Sequence, residues 1–188
     1  MKGILKYFKR SKAHDSTVES GYICRRCGEY HKGLPLSYEA AAPAQWYTIP
    51  EKERMHRCVL SSDQCIIDDE HFFIVGNIDI PIVETDKVFS WSVWGSLSQA
   101  NFERASELWH IPGRESEPPY FGWLCTELLP YPITTLHLKT NVHTRLVGVR
   151  PYIELEVTDH PLAVEQREGI TRERVQKIAE IVLHGQEE

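Results

Sequence analysis

HFFIVGNIDIPIV (71–83) and VFSWSVWGSL (88–97), separated by the polar Glu84-Thr85-Asp86-Lys87, decide the fold. The first stretch is dense in β-branched and aromatic residues, the types that suit a pleated and largely buried surface. In the second, Phe89, Trp91 and Val93 alternate with Val88, Ser90 and Ser92, the period-two pattern of a half-buried strand. Gly76 reads as a bulge position and Pro81 as a strand end or edge. Upstream, Cys58-Val59-Leu60 and Cys65-Ile66-Ile67 flank the turn Ser61-Ser62-Asp63-Gln64; downstream, alternations begin at Leu136 and Leu138 and run again over Tyr152–Val157. At least five strands result. Their mostly short connections predict a largely antiparallel sheet.

Helices cover that sheet. Ser98 caps a predicted helix over about 99–109, with Phe102, Ala105 and Trp109 on one face. Thr171 caps another, in which Val175, Ile178, Ala179, Val182 and Leu183 form an apolar stripe and Gly185 ends the run. The charged residues of this second helix, Glu173 and Lys177 among them, read as a solvated face. The fold class is therefore α+β, a sheet of at least five strands packed by two or more helices, with a zinc-knuckle-like turn near the N-terminus.

The chain has 188 residues, 41% of them hydrophobic, enough for one real core and too apolar for wholesale disorder. Residues 21–188 read as a single domain. Residues 1–20 read as a flexible basic head followed by the polar linker SKAHDSTVES. No apolar run reaches the roughly 18–20 residues that span a bilayer. The net charge is −6; Lys2, Lys6, Lys9, Arg10 and Lys12 in the head leave −11 for the remainder. Such a body repels a phosphate backbone and carries no helix-turn-helix signature, which argues against nucleic acid as a partner. Five cysteines without a secretory signal predict reduced thiols in a cytoplasmic protein.

Cys24-Arg25-Arg26-Cys27-Gly28-Glu29-Tyr30-His31 is the strongest chemical motif. Two thiolates three positions apart grip one zinc ion from a tight turn, and the glycine that follows suits the positive backbone angle such a turn needs. His31 supplies a third ligand. A second C-x-x-C is absent, so the fourth ligand must be distant; Cys58 or Cys65, joined by a hairpin, are the first choices, with Cys125, His56 and His143 behind them. The same pair without metal would make a thiol redox protein, although no βαβ context supports a thioredoxin-like motif.

Other constellations have structural readings beside functional ones. Asp159-His160-Pro161-Leu162 invites an acid–base reading, yet Pro161 at a first helical position makes Thr158, Asp159 or His160 a cap. Asp63, Asp68, Asp69 and Glu70 match no calcium loop and read as a turn. Trp91, Trp94 and Trp109 belong in the core. Pro118-Pro119-Tyr120-Phe121-Gly122-Trp123 reads as an exposed loop and the best partner-facing patch. No nucleophile elbow, phosphate loop or dinucleotide fingerprint occurs.

The strings CRRCGEYHKGLPLSYEAAAP, SSDQCIID, FFIVGNIDIPI, FSWSVWGSLSQANF, PYFGWL, YPITTLHLKT and RPYIELEVTDHPLAVEQREGIT, spread from Tyr22 to His184, resemble the bacterial family called domain of unknown function 2199. The resemblance implies a compact bacterial intracellular domain and brings no activity or catalytic residues with it. From the residues themselves, the expected function is a protein-binding or accessory module with a structural zinc site. A small metal-assisted hydrolase is the alternative; it requires an open metal position lined by Asp159, His160 or Arg150.

Overall fold

The computed structural model describes residues 21–185 and the backbone of residues 8–10 and 17–18. Its centre is a long antiparallel hairpin of β9 (His71–Pro81) and β10 (Val88–Leu97), paired without interruption from Val88↔Pro81 to Leu97↔Phe72. The two faces of β9 serve different cores. Ile74, Ile78 and Ile80 enter the main core with Phe89, Trp91 and Val93 of β10. Phe73 and Val75 enter a smaller core with Trp94, Cys65 and Cys125. Further along that second face the strand turns polar, and two cross-strand pairs are closed by hydrogen bonds. The Ser90 hydroxyl donates to Asp79 at 2.8 Å, and the Ser92 hydroxyl to Asn77 at 2.7 Å.

From β10 the sheet continues antiparallel through β11 (Tyr120–Leu124), β12 (Lys139–His143) and β13 (Tyr152–Leu155). A parallel contact, Tyr152↔Asn77, returns β13 to β9 and closes the ring into a barrel. Beyond the ring, β8 (Gln64–Ile67) and β7 (Cys58–Leu60) extend β9 antiparallel. On the other side β6 (Ser37–Ala40) runs parallel to β10. The sheet is therefore largely antiparallel with two parallel joints. Gly76 is not a bulge, since its pairing with Val93 is regular; a Cβ there would lie 2.6 Å from Ile153 Cγ1. The glycine lets β13 come close enough to shut the barrel.

Residues 118–123, expected as a loop, are mostly strand. Tyr120, Gly122 and Leu124 point inward while Phe121 and Trp123 are exposed, so the period of two was present but hidden behind Pro118-Pro119. Short strands also arise within residues 1–20. β1 (Phe8–Arg10) pairs with β6, and β2 (Thr17–Val18) pairs with β5 (Leu34–Pro35). The flexibility expected for the rest of residues 1–20 lies outside the described residues.

Four α-helices complete the layer architecture among the described residues. α1 (Glu51–Arg57) buries no residue. α2 (Gln99–Glu107) is capped by Ser98, whose hydroxyl accepts the Asn101 N–H, and it buries Phe102 and Ala105. α3 (Pro161–Glu168) starts with the predicted proline and is capped by His160. α4 (Arg172–His184) is capped by Thr171 and ends at Gly185, whose φ of 88° is the left-handed turn glycine permits. Val175, Ile178, Ala179 and Ile181 are buried under it, whereas Leu183 of the predicted stripe is exposed. No helix among the described residues is long and apolar enough to cross a membrane.

Candidate metal centre

The N-terminal motif folds as a small hairpin, β3 (Tyr22–Ile23) against β4 (Tyr30–His31), with residues 25–27 in turn. The Cys24 N–H donates to the Glu29 carbonyl and the Gly28 N–H to the Cys24 carbonyl, both at 2.9 Å. Gly28 has φ 73°, the positive angle expected for it. This backbone brings the two sulfurs and the His31 ring to one side of the hairpin. The His31 ring is held from behind by stacking on Tyr22, with ring centroids 5.1 Å apart and planes 18° from parallel.

The fourth donor comes from the other end of the chain. His184, the last residue of α4, places Nε2 3.3 Å from Cys24 Sγ, although 160 residues separate the two. On the opposite side His31 Nε2 lies 3.5 Å from Cys27 Sγ. One ligand atom from each of Cys24, Cys27, His31 and His184 falls within a 4.8 Å group. A tetrahedral zinc with Zn–S near 2.3 Å and Zn–N near 2.0–2.1 Å needs ligand–ligand edges of about 3.3–3.8 Å. The two sulfur–nitrogen distances meet that requirement. Two thiolates and two neutral imidazoles also leave a divalent ion with no net charge, which favours partial burial.

Cys58 and Cys65 do not supply the distant ligand. They face each other's strands in the β7–β8 hairpin as predicted, but they belong to the smaller core with Trp94 and Cys125. His143 is paired with Glu154 at 2.9 Å, and His56 sits on the exposed α1. The sequence does not single out His184, because the charged residues of α4 read as a solvated face. The spacing that would have revealed it is Gln176, Glu180, His184, one residue per turn along a single stripe. Each touches the knuckle in order. Gln176 Nε2 donates to the Ile23 carbonyl at 3.1 Å, Glu180 accepts the Arg25 N–H at 2.9 Å, and His184 meets Cys24. Glu180 is only 5% exposed, which no solvated face would allow. Arg26 completes the clasp by donating from its guanidinium to the Gly185 carbonyl at the negative end of α4.

Electrostatics separate the two thiols. Burial works against ionisation of Cys24, but the N–H groups of Cys27 and Arg26 aimed at its sulfur outweigh it and lower its pKa. At Cys27 the Glu29 N–H favours the thiolate, yet burial and the neighbouring Cys24 sulfur prevail and raise the pKa. Cys24 is buried and Cys27 exposed. The phenol of Tyr22 is pushed up to about 12 by burial, then by the neighbouring Cys24, Glu180 and Cys27 charges.

Asp159, His160 and Arg150 do not converge. His160 Nδ1 accepts the Leu162 N–H at 3.1 Å and its Nε2 faces the Ile133 carbonyl at 3.3 Å, so the ring is a helix cap with both nitrogens engaged. Asp159 is exposed beside it. Arg150 lies elsewhere, bridging Asp63 and Glu39 at 3.0 Å each. Asp68 and Asp69 carry φ values of 54° and 55°, the expected turn, and Asp68 pairs with Arg57 at 2.6 Å. A cleft of about 560 Å³ lies between the start of β9 and the end of β11, floored by Phe72, Phe73 and Leu97. A second, of about 290 Å³, shares Trp123 and His137 with it. Trp123 and Phe121 stand exposed at 40% and 46%, their rings edge to face at 5.4 Å.

Residues 23–170 match the family described as an uncharacterized protein conserved in bacteria, domain of unknown function 2199, and the chain belongs to that family. The match contains Cys24, Cys27 and His31 and stops before His184. No curated protein and no solved structure matches the chain.

Proposed function

We propose that this chain is an accessory, protein-binding module of the bacterial cytoplasm whose ends are fastened together by a structural zinc ion on Cys24, Cys27, His31 and His184. The observation that carries the zinc reading is the closed donor set. Four protein ligands fill a tetrahedron, and a structural site is closed where a catalytic one keeps a position for water. Sulfur and imidazole donors together select zinc over the oxygen-seeking magnesium and calcium. All five cysteines are free thiols, in keeping with a reducing compartment.

The binding reading rests on the outward face of β11. Paired exposed aromatics beside clefts of this size are the kind of surface that anchors partners, since tryptophan and other aromatics dominate hot spots. Elemental analysis of protein purified without added metal tests the zinc assignment. One zinc per chain is expected in the parent, with loss of both zinc and thermal stability in the paired Cys24→Ser and Cys27→Ser variant. Parent protein that is well folded and metal-free would end the reading.

A further inference from the structure

We propose that Cys27 is an oxidation site through which a peroxide opens the metal centre and frees the C-terminal turn of α4. The inference rests on the zinc reading above and adds regulation to it. Cys27 is exposed, whereas Cys24 is 1% exposed and sits behind it in the same turn. An oxidant thus reaches one sulfur first, and the second is placed to resolve the product. Cys58, half-buried beside the buried Cys65, is the one other accessible thiol with a buried neighbour, and neither of these two belongs to the Cys/His group. Cys65 and Cys125 are buried, and burial pushes the pKa of both upward, with Cys65 reaching about 12.

The chemistry balances with hydrogen peroxide as the oxidant. The Cys27 thiolate attacks one peroxide oxygen, the O–O bond breaks, and the departing hydroxide takes a proton to leave as water. Cys27 is then a sulfenic acid and no longer a thiolate ligand. The Cys24 thiolate attacks the Cys27 sulfur, the S–O bond breaks, and a second hydroxide leaves as water after protonation. Two thiolates have lost two electrons, one peroxide has gained them, and a C-x-x-C disulfide remains. With both sulfurs in the disulfide, only the imidazoles of His31 and His184 would remain to hold a zinc ion, too few donors to retain it.

Release has a local effect. α4 stays on the body through buried Val175, Ile178 and Ala179 and through the Gln176 and Glu180 contacts with residues 23 and 25. Only the hairpin at 24–31 and the last turn of α4 lose their common anchor.

The test treats the full zinc-loaded chain with hydrogen peroxide, following zinc with a colorimetric chelator and cysteine oxidation by peptide mass spectrometry. Expected are zinc release in step with a Cys24–Cys27 disulfide, oxidation of Cys27 at least about tenfold faster than of Cys58, Cys65 or Cys125, and faster amide exchange confined to residues 24–31 and 181–185. Thiol reductant with added zinc restores the starting state. The Cys27→His variant keeps four nitrogen or sulfur ligands, and its zinc should resist peroxide. Zinc that stays bound while other cysteines oxidise, or Cys27→His losing zinc at the parental rate, overturns the inference and leaves the structural site intact. Untreated protein without zinc overturns the proposed function instead.

Discussion

Replacing His184 by alanine separates the metal's local role from its global one. Cys24, Cys27 and His31 are neighbours in sequence and can hold zinc in an unfolded chain, where binding contributes nothing to folding. On the proposed zinc reading, His184 is the ligand that would tie this segment to a helix end 160 residues away. Treated as a cross-link, closure of a loop that long is worth about 5 kcal/mol as a ceiling, with about 2–4 kcal/mol the usual yield. The lower range applies here, because α4 is already fixed by its buried apolar face and by Glu180 and Gln176. We expect His184→Ala to lose about 2–4 kcal/mol in the presence of zinc, or about 4–16 °C in melting temperature for a domain of this size. In metal-free protein the same substitution, at an exposed helix end, should cost no more than about 0.5 kcal/mol. Urea denaturation of parent and variant, each with zinc and with chelator, gives the four free energies of a cycle. Equal losses in both conditions would show that His184 acts through packing alone and would refute the clasp.

The buried Cys65 thiol sets an alkaline limit. It keeps its proton in the folded state to about 12, against an ordinary value of 9.0, because of burial and then the neighbouring Cys58 sulfur. That contribution is whole below pH 9 and is lost as pH rises toward 12; urea midpoints from pH 7 to 11 should fall more steeply in the parent than in Cys65→Ala. At the start of α3, His160→Ala should cost about 0.5–2 kcal/mol through loss of the cap, whereas the exposed Asp159→Ala should stay within about 0.5 kcal/mol. Matched losses in the two melts would contradict the capping role. In the barrel wall, a Cβ at Gly122 would fall 2.1 Å from the Ser96 carbonyl oxygen, while one at Gly95 would meet nothing nearer than 3.6 Å. Gly122→Ala should therefore destabilise by about 1–3 kcal/mol or more, and clearly beyond Gly95→Ala; thermal melts that rank them the other way would refute the close approach of β10 and β11.

Elements held by local pattern were legible. The strand at 88–97, the caps at Ser98 and Thr171, Pro161 at its helix start and the positive φ of Gly28 all depend on residues close in sequence, and each is where the pattern puts it, although the strand is buried on both faces instead of one because Ser90 and Ser92 are covered too. Barrel closure was not legible, because it turns on Tyr152↔Asn77 and on the approach of Ile153 to Gly76, a glycine that sequence alone reads equally well as a bulge. β11 was obscured by the two prolines before it, which carry the signal of a loop even though Tyr120, Gly122 and Leu124 keep a buried face.

The metal centre divides along the same line. Its hairpin half is written in eight consecutive residues, so spacing alone points to Cys24, Cys27 and His31 as neighbours in space. Its helix half is written as polarity at the wrong depth. A carboxylate such as Glu180 is seldom fully buried unless something compensates it, and here the compensation is the Arg25 N–H and the Gln176 amide, with Arg25 and Arg26 charges nearby. Desolvation resists ionisation of Glu180, yet those partners outweigh it and hold its pKa below the ordinary carboxylate value. The stripe from Gln176 to His184 is thus a second face of α4, which meets the knuckle through polar contacts. Reading polar helical positions by their four-residue periodicity, as apolar ones already are, would have set His184 beside Glu180 as a partner of the same surface and made it the first choice for the missing ligand.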